Sequence, residues 1–192
     1  MPANTMHAMP NPLHVTFLAG TSGPWRIDRI NAVIGESLGA ADALTVIEGN
    51  NPAAAAGAAW MLRGFTSNTR YTTRLEADSL TARQQGLGRP ASTQAALIPI
   101  RKSEAWWTLA QDERREIFEA QSKHIEIGQQ YLPDIARRLH HCRDLGGDFD
   151  FLTWFEFAPD HNNAFEVLLE RLRQSPEWNY VEREVDIRLT RA

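Results

Sequence analysis

His124 is the residue whose type and setting first suggest chemistry, because it lies inside a polar, helix-favouring segment, Asp112–Tyr131. On a helix it shares a stripe with Ile117 and with Gly128, one turn further on. A helix histidine of this kind is commonly half-buried with a hydrogen-bond partner. It is alternatively an axial ligand, in which case Gly128 leaves room beside it for a flat macrocycle. These residues alone leave both interpretations open.

Two neighbouring arginines, Arg137 and Arg138, could bind an anion. They lie in a strand-like run, Ala136–Arg143, whose successive residues face opposite sides. Each face therefore carries one arginine of the pair, and we expect at least one of the two to be solvated. The spacing does not decide which arginine is functional.

Two further patterns are weaker. Gly35-Glu36-Ser37-Leu38-Gly39 matches the G-x-S-x-G nucleophile elbow of serine hydrolases, which would make Ser37 a nucleophile. So short a pattern also arises by chance, and such a hydrolase needs a largely parallel sheet. His140-His141-Cys142 could suggest a metal site, but neighbouring strand residues point to opposite faces.

The second half of the chain predicts the framework that must position these residues. Its apolar runs and helical stripes indicate strand, helix, strand, strand, helix and strand at 96–101, 112–131, 136–143, 149–157, 161–173 and 180–189. This βαββαβ order is the ferredoxin-like unit, of class α+β with an antiparallel sheet. The last helix carries a core-facing stripe of Phe165, Leu168, Leu169 and Leu172.

The first half is less regular, and we interpret it as a degenerate copy of the same ferredoxin-like unit. The expected elements are strands at 14–18, 25–34 and 60–65, a helix at Ser37–Ala43, and a helix from Ser67 or Asn68 to Arg83. Gly49–Ala59 indicates a linker. The predicted organisation is a disordered tail at 1–12, an N-terminal half at 13–94 and a C-terminal half at 95–192.

The composition excludes several classes of function. The 192 residues carry a formal net charge of −4, which argues against a nucleic-acid partner. Cys142 is the only cysteine, so the chain has neither an intrachain disulfide nor a C-x-x-C-H haem attachment site. No run approaches the roughly 20 apolar residues of a membrane span, and residues 1–12 lack the features of a signal peptide. We expect a cytoplasmic protein without a membrane partner.

The order of several residues resembles the chlorite dismutases, haem b proteins of the dimeric ferredoxin-like superfamily. The residues that carry the resemblance are, in chain order, Lys102, Trp106-Trp107, His124, Arg137, Phe151–Glu156 and Trp178–Arg183. The resemblance covers most of the chain from Trp60 onward and is nearest to the short-chain, dimeric branch. It implies a haem b bound without covalent attachment in the C-terminal half, and a homodimer.

The resemblance also assigns roles around the haem. His124 falls where the family keeps its proximal iron ligand, so the ligand interpretation becomes the favoured one. Glu177 is then the acceptor that orients the imidazole, steadied by Lys102. Arg137 is selected over Arg138 as the distal arginine, which would attract chlorite and hold an anionic intermediate.

Further residues are expected to line the haem. Gln84 falls where the dimeric branch places a distal glutamine, although Gln85 beside it fits as well. Trp106 is favoured over Trp107 for the proximal side. Two residues on one strand face are expected to shape the distal pocket: Thr153 and Phe155. Core packing would explain the tryptophan and the strand residues equally well.

The implied function is conversion of chlorite to chloride and dioxygen through ferryl haem and transient hypochlorite, which Arg137 would keep near the iron. The nearest alternative is a coproheme decarboxylase of the same superfamily, which generally lacks the distal arginine. A dye-decolourising peroxidase is a more distant relative and would be expected to carry a distal aspartate in addition to a distal arginine. A serine hydrolase built on Ser37 would be colourless, and a non-catalytic haem-binding module would release no oxygen from chlorite.

Overall fold

The computed structural model describes residues 12–49, 57–66 and 72–192. These residues form eight strands: β1 (His14–Gly20), β2 (Trp25–Ile34), β3 (Ala43–Glu48), β4 (Trp60–Phe65), β5 (Gln94–Lys102), β6 (Ala136–His141), β7 (Phe151–Phe157) and β8 (Val181–Arg191). They also form five α-helices: α1 (Arg74–Arg83), α2 (Glu104–Thr108), α3 (Gln111–Arg115), α4 (His124–Gln129) and α5 (Asn162–Arg173). The predicted α+β class is confirmed.

The strands form a closed antiparallel barrel in the order β1-β3-β2-β8-β5-β7-β6-β4. Within it, β5 pairs with β7 on one side and with β8 on the other, and β7 pairs with β6. The barrel closes between β4 and β6 through the pairing of Phe65 with His141. The predicted antiparallel sheet is therefore confirmed.

The two faces of β5 and β7 pack against different apolar groups. Leu97 and Trp154 join the barrel interior, together with Phe17, Leu44 and Ile187. Ile98 and Phe155 lie on the opposite face, where the buried stripe of α5 packs: Phe165, Leu168, Leu169 and Leu172. Burying each such side chain contributes about 1.5–3 kcal/mol. The stripe predicted for this helix is confirmed, and the candidate site lies on the same face.

The second half follows the predicted order, with its strands and α5 bounded within two residues of the expected positions. The helix expected at 112–131 is the exception, because it is divided into α3, a π-helical turn at Glu116–Gln121, and α4. His124 is the first residue of α4, so its expected position well inside a long helix was wrong. Residues 112–127 contain neither glycine nor proline, and nothing in their types marks the division.

The first half departs further from the prediction. The helix expected at Ser37–Ala43 was wrong, because residues 36–42 form no regular element and Ala43 begins β3. Strand β3 pairs with β1 along its length. Val46 and Ile47 of this strand are β-branched, and pairing with a neighbour decides such short segments more than local propensity does.

Helix α1 begins at Arg74, where Thr73 and Glu76 form a capping box. The caps expected at Ser67 or Asn68 lie outside the described residues, as do most of the expected tail and linker. In the described part of the first half, four strands precede α1. None of the described helices has the length and apolar character needed to span a membrane.

Candidate active site

A cavity of about 600 Å³ lies on the sheet face that also packs α5, and α1 and α4 contribute to its wall. Alternate residues of neighbouring strands build its floor, as expected for one face of a sheet. Three cross-strand pairs of β6 and β7 belong to it: Arg137 with Phe155, Leu139 with Thr153, and His141 with Phe151. From β5, Ile98 and Ile100 complete the floor. A largely apolar cavity of this size can hold a cofactor.

The cavity wall includes an ionic cluster of His124, Glu177 and Lys102. Glu177 Oε2 accepts a hydrogen bond from His124 Nδ1 at 2.7 Å, and Glu177 Oε1 accepts one from Lys102 Nζ at 2.7 Å. Lys102 Nζ also donates to the main-chain carbonyl of Glu177 at 3.3 Å. Glu177 and Lys102 are each only 4% exposed. Because Nδ1 is engaged, Nε2 is the nitrogen of His124 that could bind a metal.

Two partners keep Glu177 ionised in spite of its burial. Burial by itself raises the pKa of a carboxyl, but the charges and hydrogen bonds of His124 and Lys102 lower the pKa of Glu177 to about 2. His124 therefore faces a carboxylate at neutral pH. An imidazole that donates to a carboxylate becomes a more basic ligand through its other nitrogen.

The backbone before His124 explains how the imidazole reaches Glu177. After the π-helical turn, Lys123 adopts the left-handed conformation, with φ 53° and ψ 37°. That conformation costs a residue with a side chain about 1–2 kcal/mol, and π-helical turns are frequent at functional sites. The Glu119 carboxylate accepts the main-chain N–H of Ile125 at 2.7 Å, which satisfies a free donor in the first turn of α4.

The tandem tryptophans lie in different surroundings. Trp106 is 1% exposed and lines the cavity, and its ring centre lies 4.7 Å from Lys102 Nζ. Trp107 stacks on Phe151 and donates from Nε1 to Asp150 at 3.2 Å. Trp106, the residue favoured through the family resemblance, is thus the tryptophan beside the His124–Glu177–Lys102 cluster.

Arg137 reaches from the cavity floor to α4. Its guanidinium lies against Gly128, so that a Cβ added to this glycine would lie 2.6 Å from the guanidinium carbon. Burial lowers the pKa of Arg137 and the charge of Glu119 opposes the change, but a guanidinium remains a cation. The space beside Gly128 that was expected to admit a macrocycle is occupied by this guanidinium.

Arg138, one residue further along β6, borders the cavity, but its guanidinium binds residues other than those of the His124 cluster. Its NH1 forms an ion pair with Glu48 at 2.7 Å, and its Nε donates to His140 Nε2 at 3.1 Å. His140 is fully buried on the opposite face of the strand from His141. The structure therefore separates the two arginines that the sequence left equivalent.

The two glutamines both line the cavity and differ in their partners. Gln84 Nε2 donates to the main-chain carbonyl of Arg137 at 2.7 Å, which ties the end of α1 to β6. Gln85 Oε1 accepts from Arg89 at 3.2 Å. Gln84 is therefore the glutamine joined to the strand that carries Arg137.

Several contributors to the cluster received no role from the sequence. Phe118 stacks on the His124 ring, with centroids 4.5 Å apart. Ser122 Oγ accepts the main-chain N–H of Glu177 at 2.9 Å, and Asp150 Oδ2 accepts that of Lys102 at 2.7 Å. Phe118 precedes His124 by six residues, a spacing that no regular helix would bring face to face. Of these residues, only Ser122 could have been suspected from the sequence, because it lies two residues before the candidate ligand His124.

The hydrolase and metal patterns are not supported. Ser37 lies in the irregular segment 36–42 rather than at a strand-to-helix turn, and the sheet is antiparallel. His140 hydrogen-bonds the Leu152 carbonyl through Nδ1 at 3.0 Å, whereas His141 borders the cavity. Across residues 12–49, 57–66 and 72–192, no group of three or more His, Cys, Asp or Glu side chains is arranged to hold a metal ion.

Comparisons with known proteins agree with one another. A family model described as chlorite dismutase matches residues 37–192. The crystal structure of dimeric chlorite dismutases from Nitrobacter winogradskyi is 54% identical, with a TM-score of 0.86 over 93% of this chain and 99% of that chain. A mutant chlorite dismutase from Candidatus Nitrospira defluvii is 17% identical, with a TM-score of 0.68 over 94% of this chain and 91% of that chain, which shows a shared fold.

A curated chlorite dismutase from Ideonella dechloratans is 33% identical over 86 residues. The aligned part is 45% of this chain and 28% of that relative, so the match spans less than a third of the relative's length.

Proposed function

This chain belongs to the chlorite dismutase family, and we propose that it converts chlorite to chloride and dioxygen at a haem b held without covalent attachment in the cavity. The observation that carries the proposal is the hydrogen bond of 2.7 Å between His124 Nδ1 and the buried carboxylate of Glu177. This contact orients the imidazole and leaves Nε2 to bind iron. The two similar structures named above are both of chlorite dismutases.

The donor set of the cavity fits a haem. His124 supplies one nitrogen ligand, and the Glu177 carboxylate behind it increases the basicity of that nitrogen. Apolar side chains suited to contact with a macrocycle line the cavity: Ile98, Ile100, Trp106, Leu139 and Phe155. When bound, haem would supply the redox-active iron at which chlorite reacts.

The residues of the chain have separate tasks in this proposal. Lys102 keeps the Glu177 carboxylate charged and in place, so that His124 remains a strong electron donor. Arg137 provides a permanent positive charge among apolar groups, where attraction for chlorite and for an oxychlorine anion is stronger than in water. If a bound haem were to reach Gly128, the Arg137 guanidinium would have to move from that glycine, which its long side chain would allow.

The remaining assignments concern the cavity wall around Arg137. We assign Gln84 rather than Gln85 to the distal side, because Gln84 is bonded to the main chain of Arg137. Thr153 and Phe155 flank Arg137 on the floor and limit the room beside it. Trp106 packs beside Lys102 on the proximal side.

The alternatives are less well supported. A coproheme decarboxylase would share the fold, but those enzymes generally lack the distal arginine, and here Arg137 lies in the cavity. A non-catalytic haem-binding module would share His124 and Glu177. The release of oxygen from chlorite separates that module from the enzyme.

Two coarser features extend the proposal. Since the similar Nitrobacter winogradskyi structure is of dimeric chlorite dismutases, we assign a homodimer to this chain. The order β5, helices, β6, β7, α5, β8 supports a ferredoxin-like unit in the C-terminal half. We propose that the N-terminal half, in which β1 to β4 precede α1, is a degenerate copy of this unit.

Haem titration combined with an oxygen electrode tests the proposed function. The chain should take up one haem b with a strong Soret band and then release oxygen from chlorite, whereas the haem-free chain should release none. His124→Ala should lose haem affinity. A colourless chain that takes up no haem, or a haem-loaded chain that consumes no chlorite, would overturn the proposal.

A further inference from the structure

We propose that Ser122 is a positioning residue, which fixes the main chain of Glu177 so that its carboxylate meets His124. This inference rests on the proposed function, because its consequence is read at an iron bound to His124. Ser122 Oγ accepts the main-chain N–H of Glu177 at 2.9 Å. The serine is 3% exposed and the glutamate 4%, so water does not replace this contact.

The contact closes a ring between the candidate ligand and its acceptor. Ser122 bonds the main chain of Glu177 and His124 bonds its side chain, and the two partners are separated only by Lys123. Residues two apart do not face one another on a regular helix. The left-handed conformation of Lys123, with φ 53°, turns both neighbours toward the same glutamate. The strained conformation of Lys123 thus allows the Ser122 hydroxyl and the His124 imidazole to contact the same glutamate.

All four polar atoms of Glu177 have partners in this arrangement. Lys102 Nζ bonds the main-chain carbonyl and Oε1, His124 bonds Oε2, and Ser122 bonds the main-chain nitrogen. The 3₁₀ turn that carries Glu177, Pro176–Tyr180, is only five residues long and has proline at its start. The position of the glutamate therefore depends on these side-chain contacts more than on the turn itself.

Loss of the Ser122 hydroxyl would leave the main-chain N–H of Glu177 buried without an acceptor, which is unfavourable. The 3₁₀ turn that carries Glu177 would have to move for this N–H to find another partner. A displaced carboxylate makes a weaker hydrogen bond with His124 Nδ1, so the imidazole loses anionic character. A less basic imidazole binds iron more weakly and stabilises the ferric state less. The frequency of the iron–histidine stretching vibration should fall and the midpoint potential of the haem should rise.

Resonance Raman spectroscopy of the ferrous, haem-loaded protein, with redox titration, tests this inference. Ser122→Ala should shift the vibration and the potential in the same directions as Glu177→Gln, by a smaller amount. Ser122→Thr retains the hydroxyl and should restore both values. If Ser122→Ala does not fold, Ser122→Cys, which keeps a weaker acceptor, should give shifts between those of serine and Glu177→Gln.

Ser175→Ala is the matched control. Ser175 is 9% exposed and lies directly before the same turn, but its Oγ donates to the Leu172 carbonyl at 2.7 Å and not to Glu177. Its loss should lower thermal stability and leave the vibration and the potential unchanged. A shift in Ser175→Ala equal to that in Ser122→Ala would show a general loosening and overturn the inference.

The same measurements distinguish this inference from the proposed function. Absence of an iron–histidine vibration in the unmutated, haem-loaded protein would contradict the ligand role of His124. If that vibration is present and responds to Glu177→Gln but not to Ser122→Ala, the proposed function stands and the positioning role of Ser122 is wrong.

Discussion

His124 Nδ1 lies 2.7 Å from Glu177 Oε2, and the glutamate is 53 residues further along the chain. The contact joins the start of α4 to the turn before β8. Lys102 at the end of β5 completes it through Glu177 Oε1. Three distant segments thus meet at one carboxylate whose pKa is lowered to about 2.

Removal of the lysine from this cluster should be costly for stability. Lys102→Met leaves a buried carboxylate with one cation fewer, and the loss of a partner from a buried ion pair costs about 3–5 kcal/mol. In a Glu177→Gln background the same change removes a buried ammonium that already lacks its carboxylate, so stability should stay the same or rise. Denaturant unfolding of the four proteins gives the coupling. Additive losses would show that the two side chains do not depend on each other.

Arg137→Ala should retain haem but inactivate itself sooner. Without the guanidinium, an oxychlorine anion escapes from the cavity and attacks the protein, so total oxygen per enzyme should fall severalfold. Arg138→Ala is the matched control, since it removes the same charge one residue away, where it pairs with Glu48. An oxygen electrode measures both yields. Equal yields from the two variants would refute the separation of roles.

Gly128→Ala tests the contact between Arg137 and α4. The added methyl group meets the far end of a flexible side chain, so the fold should tolerate it while the guanidinium is displaced. Oxygen yield should change in the presence of Arg137 and show no further change in an Arg137→Ala background. Gly86→Ala adds the same group to the cavity wall with nothing within 4 Å and should have no effect. If Gly128→Ala still changes the oxygen yield in the Arg137→Ala background, its effect does not act through the Arg137 guanidinium.

Residue types alone predicted the framework of the site, whereas the roles of His124, Glu177 and Arg137 followed from the resemblance to the chlorite dismutases. The stripe of α5 and the strands of the second half follow from hydrophobic periodicity, which burial on one face enforces. Hydrophobic periodicity could not decide between Arg137 and Arg138, because that choice depends on which face of β6 borders the cavity. The irregular backbone at Ser122-Lys123-His124 could not follow either. It is imposed by contacts with Glu177, and no residue of that segment is a known helix breaker.

Strand β3 shows the same limit in the first half. Ala43 and Leu44 are buried because β1 and β2 pair on either side of β3. Those pairings are long-range and leave no local signature in so short a segment. The Ser37–Ala43 helix was predicted from local residue types alone, and tertiary pairing overrode them.

His140 should make stability depend on pH. Burial, followed by the nearby charge of Arg138 and opposed by a hydrogen bond to the Leu152 carbonyl, lowers the pKa of His140 from 6.5 to about 4. Between pH 6.5 and about 4, His140 therefore binds a proton in the unfolded chain but not in the folded chain. Stability should be lost as pH falls from 6.5 to about 4, by about 3 kcal/mol from this group.

Comparison with His140→Phe isolates that contribution, because the other titrating groups are common to both chains. Chemical unfolding at several pH values should give a shallower dependence in the variant between pH 4 and 6.5. Parallel curves for the two proteins would show that His140 is protonated equally in the folded and unfolded chains.

We propose that both oxygen atoms of one chlorite ion leave together as dioxygen, at a haem held by His124 with Arg137 retaining the anion. Mass spectrometry of the gas released from ¹⁸O-labelled chlorite in ordinary water tests this most directly. One doubly labelled dioxygen molecule should form for each chlorite ion consumed. Dioxygen of mixed label, or chlorite consumed without dioxygen, would contradict it.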